Sequence, residues 1–138
     1  MSILVSAGII ALLSAAVLPY ILKYQPNLKL NGTARDLATD LRYAQQMTIT
    51  EQVEYLVQLD LTGNNYKIQK VDTATTTLKT VVFPTEINYQ QVTDLTENQV
   101  VFNSYGAVRE SGQIVLVNTN GKTVIINVKP SGYIQLVQ

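Results

Sequence analysis

MSILVSAGIIALLSAAVLPYIL, residues 1–22, contains no charged side chain, and Lys23 is the first in the chain. The twenty residues from Ile3 to Leu22, wound as a helix rising about 1.5 Å per residue, reach roughly 30 Å, the thickness of a bilayer's hydrocarbon core. The stretch therefore predicts a membrane-spanning helix. Ile3, Leu4, Ile9, Ile10, Leu12, Leu13 and Val17 supply its apolar surface, while Ala11, Ser14, Ala15 and Ala16 are small enough for close helix–helix packing. A secretory signal peptide would open on basic residues and stop at a small-x-small site. Here no Lys or Arg precedes residue 23, and the apolar pattern runs through Ser14-Ala15-Ala16 to Leu22, so the segment is expected to stay on the protein. Tyr20, Lys23 and Tyr24 read as an interfacial belt.

Beyond Pro19 the helical pattern continues. Leu30, Ala34, Leu37, Leu41, Ala44 and Thr48 recur at offsets of three and four, with Arg35, Asp36, Asp40, Arg42 and Gln45 on other faces. That is an amphipathic helix laid on a core, ending near Glu51. Pro19 removes a backbone donor and Pro26 disfavours helical dihedrals at Gln25, which predicts a kink at the first and a break or bend at the second. Asn31-Gly32 is a further weak point.

From Val53 the period falls to two. VEYLVQLDL (53–61), a Thr62-Gly63-Asn64-Asn65 turn and YKIQKV (66–71) read as a hairpin. Asp72–Thr77 reads as a loop, 78–83 as a strand closed by Pro84, 86–91 as a short strand, and 92–99 as a connection. Strands follow at 100–103, 114–118, 123–128 and 133–137; Asn120-Gly121, between two β-branched runs, is a strong hairpin signal. The expected organisation is α+β: a transmembrane half-helix over 1–24, an amphipathic half-helix over 25–52, and six to eight antiparallel strands over 53–138. Residues 25–138 together make one soluble domain whose helix covers the β layer.

Composition narrows the function. Ten basic and ten acidic side chains cancel in 138 residues, which gives no large electropositive surface. With no Cys and no His, disulfides, thiolate nucleophiles and the commonest catalytic bases and metal ligands are absent. Ser104, Ser111 and Ser131 lie beside glycines without a candidate base, and Asp72, Asp94, Glu97 and Glu110 form no closely spaced calcium loop. No enzyme, metal or cofactor is expected. Tyr66, Tyr89, Tyr105 and Tyr133 could stack on bases, and Arg109, Lys122 and Lys129 could line a small basic edge for DNA; strand packing and scattered solvation are the simpler readings.

The ending VVFNSYGAVRESGQIVLVNTNGKTVIINVKPSGYIQL (100–136) orders Phe, Gly, a Ser-Gly before an apolar strand, an Asn-Gly hairpin, and a final Ser-Gly-aromatic strand. With LLSAAVLPYI (12–21) and LRYAQQMTITEQ (41–52) ahead of the first strand, it resembles the GspH/FimT family of minor pseudopilins across essentially the whole chain. The resemblance implies a structural subunit of a type II secretion, type IV pilus or competence filament. Such a subunit is held in the cytoplasmic membrane by one span, with its β domain outside the cytoplasm. The implied partners are other pilin-like subunits, a membrane platform protein and an assembly ATPase. Two alternatives stay open: a DNA-binding minor pilin of transformation, and a membrane-anchored extracytoplasmic binding domain that never polymerises. Family precursors carry Gly followed by Phe-Thr-Leu-Ile-Glu at the peptidase cleavage and methylation site. Counting back from Pro19 places the acidic position at Ser2. Either the first residues lie upstream, or the subunit lacks the buried acid contact, as would suit a filament tip.

Overall fold

A computed structural model describes all residues, Met1–Gln138. One helix, α1 (Ser2–Glu51), is followed by eight strands: β1 (Glu54–Asp60), β2 (Asn65–Val71), β3 (Thr75–Val82), β4 (Ile87–Thr93), β5 (Gln99–Phe102), β6 (Gly112–Asn118), β7 (Thr123–Val128) and β8 (Ile134–Val137). Two antiparallel sheets result, ordered β3-β2-β1-β5 and β4-β6-β7-β8. The second half of α1 packs against strands of both. The fold is α+β, with the six stripe residues Leu30, Ala34, Leu37, Leu41, Ala44 and Thr48 all fully buried. The five aliphatic ones meet Val57 and Ile68 from one sheet and Ile114, Leu116 and Ile126 from the other in a single apolar core.

Three sequence expectations give way. First, α1 runs unbroken through Pro19, Pro26 and Asn31-Gly32. A proline deletes one donor but leaves the turns on either side intact, and near Pro26 the β domain grips the helix from outside: Asn120 Nδ2 donates to the Lys23 carbonyl and Asn118 Nδ2 to Asn27 Oδ1. The helix ends where Gln52 turns left-handed (φ 57°) and its N–H bonds the Thr48 carbonyl at 2.9 Å. Second, Asp40 is not on a solvent face. It is buried, accepts from Tyr66 Oη at 2.6 Å, and pairs with Lys79 Nζ of β3 at 2.9 Å. Third, part of the expected 72–77 loop is strand: β3 begins at Thr75 and β4 extends to Thr93.

The sheet edges explain the extra strand length. Lys79 opposes Ile68 while Thr77 opposes Gln69, so Leu78 is an inserted residue in β3; Tyr89 opposes Leu116 while Gln91 opposes Val115, so Gln90 is inserted in β4. Each long edge thus carries a bulge, and the other edges, β5 and β8, have only four residues each. Bulges and short edges block strand addition. None of the four edges offers a long flat ladder to another subunit.

The Asp40 site supplies a stability test. Replacing Asp40 with Asn keeps an acceptor for Tyr66 but removes the charge facing Lys79, whose side chain is about half exposed. The expected cost in denaturant unfolding is about 1 kcal/mol, because a partly solvated ion pair contributes little and the buried hydrogen bond survives.

Candidate functional site

No residue of α1 before Leu30 is buried, and every residue from Met1 to Gln25 is exposed. Ile3, Leu4, Ile9, Ile10, Leu12, Leu13, Ala16, Val17 and Pro19 all lie on this uncovered half; Leu12 is 74 % exposed where Leu41, one face and several turns further on, is at 0 %. Each large aliphatic side chain left in water forgoes roughly 1.5–3 kcal/mol, so this half-helix requires a bilayer or other helices around it. It is the one helix long and apolar enough to cross a membrane. Two of its hydroxyls make no outside demands, since Ser6 Oγ and Ser14 Oγ each donate to the carbonyl four residues back, at 2.8 Å. No side chain caps its N-terminus, and its first turn holds no acid.

The β domain is fixed to the buried half by hydrogen bonds at both ends. At the end next to the apolar half, the β6–β7 turn is organised by Asn118, whose Oδ1 accepts from the Asn120 and Lys122 N–H groups at 3.0 and 2.9 Å while its amide reaches Asn27 at 2.7 Å. At the far end, two glycine turns meet the helix. Gln45 Nε2 donates to the Gly106 carbonyl at 2.7 Å, and Arg42 to the Ile134 carbonyl at 3.0 Å. The sequence showed the turn at Asn120-Gly121 but not what it grips, because a hairpin signal carries no information on tertiary partners.

The basic candidates are spread. Arg109 pairs with Glu54 at 3.1 Å. Lys122 precedes β7 and Lys129 follows it, so the six residues of that strand, at about 3.3 Å each, hold the two lysines roughly 20 Å apart. Lys29, Lys70 and Lys79 are paired with Glu86, Glu51 and Asp40. Of the tyrosines, Tyr66 is buried and Tyr89 stacks on Phe83 with ring centroids 4.9 Å apart, leaving Tyr105 and Tyr133 exposed. No group of three or more His, Cys, Asp or Glu is placed to hold a metal ion; Glu110 is occupied by the Thr96 N–H and hydroxyl at 2.7 and 2.9 Å.

A long helix, half uncovered and half packed across two antiparallel sheets, defines a pilin-like structural subunit. The family model for the type II transport protein GspH matches residues 33–132, and the chain belongs to that family. The fold is similar to that of the minor pseudopilin EpsH of the Vibrio cholerae type 2 secretion system. That likeness has a TM-score of 0.69 at 11 % identity and covers 79 % of this chain and 96 % of the other. It is also similar to the Pseudomonas aeruginosa type IV minor pilin FimU, with a TM-score of 0.66 at 15 % identity, covering 83 % and 92 %. No curated protein sequence matches the chain. Family and fold are those of structural subunits, not enzymes.

Proposed function

We propose that this chain is a minor pilin-like subunit anchored in the cytoplasmic membrane by the first half of α1, its β domain outside the cytoplasm. That half-helix then carries it into a type IV pilus-like filament serving secretion, pilus biogenesis or DNA uptake. The observation supporting this reading is the continuity of α1: one rigid element is bare over its apolar half and locked into the β domain over the other. The blunted sheet edges add to it, because they disfavour association through strands. Moving the helix from lipid to a filament core exchanges one apolar environment for another, with little net gain from burial. Direction must therefore come from machinery that consumes energy, which is the role of an assembly ATPase and a platform protein.

A photo-reactive amino acid at Leu13 or Ala16, in cells that make the accompanying pilin-like proteins, is expected to yield adducts with the amino-terminal helices of those proteins. Adducts confined to unrelated membrane proteins would replace the filament by a membrane-anchored domain that does not polymerise.

A further inference from the structure

The point where α1 leaves its apolar run is built as a hollow. Tyr20, Lys23, Tyr24 and Asn27 share one face of the helix by their spacing, and the β6–β7 turn descends onto that face through the Asn120–Lys23 and Asn118–Asn27 hydrogen bonds at 3.1 and 2.7 Å. Between turn and helix lies an open cavity of about 470 Å³ lined by Tyr20, Lys23, Tyr24, Asn27 and Asn120. Its volume falls in the roughly 300–1,000 Å³ range of small-ligand sites.

The lining is rich in donors. Lys23 is in no ion pair, like Lys67, Lys122 and Lys129 and unlike Lys29, Lys70 and Lys79. The Tyr20 and Tyr24 hydroxyl oxygens are 3.2 Å apart, so one donates to the other and a single O–H remains to give. Asn27 uses its carbonyl oxygen to accept from Asn118, which leaves its amide hydrogens free, and Asn120 spends one amide hydrogen on the Lys23 carbonyl and keeps the second. No carboxylate lines the cavity. One positive charge with several neutral donors around it matches a singly charged phosphodiester, since hydrogen bonds to an ionised acceptor are the stronger kind. An unpaired ammonium also repels the amine of a zwitterionic headgroup.

The depth agrees with the chemistry. If Ile3–Leu22 fills the roughly 30 Å hydrocarbon layer, Lys23 emerges at the headgroup level with the two tyrosines beside it. We propose that this hollow binds the phosphodiester of an anionic phospholipid while the first half of α1 is in the bilayer. Bound there, the headgroup ties the β6–β7 turn to the helix and sets the β domain at a fixed attitude on the membrane, and extraction into a filament has to break the contact. This inference rests on the membrane-anchored reading.

The test uses the full chain reconstituted in vesicles of phosphatidylcholine with a minority of phosphatidylglycerol. Flotation with the vesicles reads anchorage, and native mass spectrometry of the released chain reads which lipid it retains. The expected result is a retained phosphatidylglycerol enriched over its share of the bilayer. In Lys23→Gln and in Asn120→Asp that enrichment should fall about tenfold, one charge-assisted hydrogen bond's worth, with flotation unchanged. Adducts that mirror the bilayer composition, or variants that keep the enrichment, overturn the site while leaving the anchor standing. A wild-type chain that does not float overturns the anchor and the site with it. Soluble glycerophosphate is expected not to displace the lipid; displacement by it, with no lipid enrichment, would make the ligand a free phosphate and overturn the proposal.

Discussion

Gly132→Ala is expected to lower the unfolding free energy by about 4 kcal/mol, whereas Gly121→Ala costs about 1 kcal/mol, although both glycines are left-handed. Their φ values are +86° and +79°, so the backbone penalty for adding a side chain is nearly the same at the two sites. The surroundings differ. A Cβ at Gly121 meets nothing within 4 Å, while a Cβ at Gly132 overlaps the backbone carbonyl oxygen of Gly106 and the Gln45 amide nitrogen. That carbonyl cannot swing aside cheaply, because it accepts the Gln45 bond to α1. Gly106 is hemmed in as well: a Cβ there lies 2.7 Å from Ile49 Cδ1. The two turns and the helix thus close on one another at van der Waals contact, and the substitution separates α1 from the far end of the sheets. For a packed portion of this size the loss corresponds to a fall of roughly 15 °C in Tm, read from the near-UV tyrosine signal of the detergent-solubilised full chain, since the apolar half of the helix contributes little to it. Equal shifts in the two variants would mean that backbone strain alone is at work and that the Gly106–Gly132 contact is not tight.

Much of this architecture is legible from spacing. The stripe Leu30, Ala34, Leu37, Leu41, Ala44 and Thr48 is the buried seam of α1 because a helix repeats every three to four residues, whatever it packs on. The hairpins at 61–64 and 118–122 follow from residues that tolerate positive φ: Asn64 and Gly121 adopt it. What escaped the sequence is long-range. Asp40 looks like a solvated helix residue until Tyr66, twenty-six positions on, and Lys79, thirty-nine positions on, are brought over it. The break expected at Pro26 fails for the same reason, since local propensity cannot anticipate a turn near residue 120 clasping the helix. The candidate site divides in the same way. Apolarity alone marks Ile3–Leu22 as surface in search of cover, but the donor-lined hollow at its end joins Asn27 to Asn118 and Lys23 to Asn120 across more than ninety residues.

That division has a functional reading. The apolar stretch of α1 makes no hydrogen bond to the β domain before Lys23, and the rest of the helix is held to it at Lys23, Asn27, Arg42 and Gln45. In the proposed filament assembly, a pull on the apolar half would therefore reach the whole domain through α1, which is one continuous helix up to Glu51.

Alkali is expected to unfold the β domain well before acid does so, with stability nearly flat between about pH 5 and pH 9. The flat region follows from composition: with no His and no Cys, no side chain has an ordinary pKa in that window. Above it three phenols matter. Burial first, and then the hydrogen bond to Glu51, push Tyr55 up to about 12 from the ordinary 10.0. Burial and then Asp40 raise Tyr66, and burial raises Tyr89. Each keeps its proton in the folded chain at a pH where the unfolded chain has lost it. The unfolded state then binds fewer protons, so stability falls as pH rises, starting near 10 and continuing through the folded values, by roughly 1.4 kcal/mol per pH unit for each such group. Three groups acting together remove roughly 8 kcal/mol by about pH 12, comparable with a typical domain stability of roughly 5–15 kcal/mol. On the acid side, the Lys70 and Tyr55 hydrogen bonds hold Glu51 below its ordinary 4.5, the Lys29 hydrogen bond does so for Glu86, the Thr96 bonds for Glu110, and the Gly63 N–H holds Asp60 below 3.8. Their contribution is complete above about pH 5 and is lost as pH falls through the folded values, but all four remain partly exposed and solvent screening makes the loss shallow. Denaturant midpoints measured across pH, with tyrosinate absorbance followed in parallel, check both limbs. Tyr55, Tyr66 and Tyr89 should ionise only as the near-UV circular dichroism collapses, and Tyr66→Phe with Tyr89→Phe should flatten the alkaline limb. A midpoint at pH 11 equal to that at pH 8 would show that these phenols are open to solvent and that the Asp40–Tyr66 contact does not hold α1 against β2.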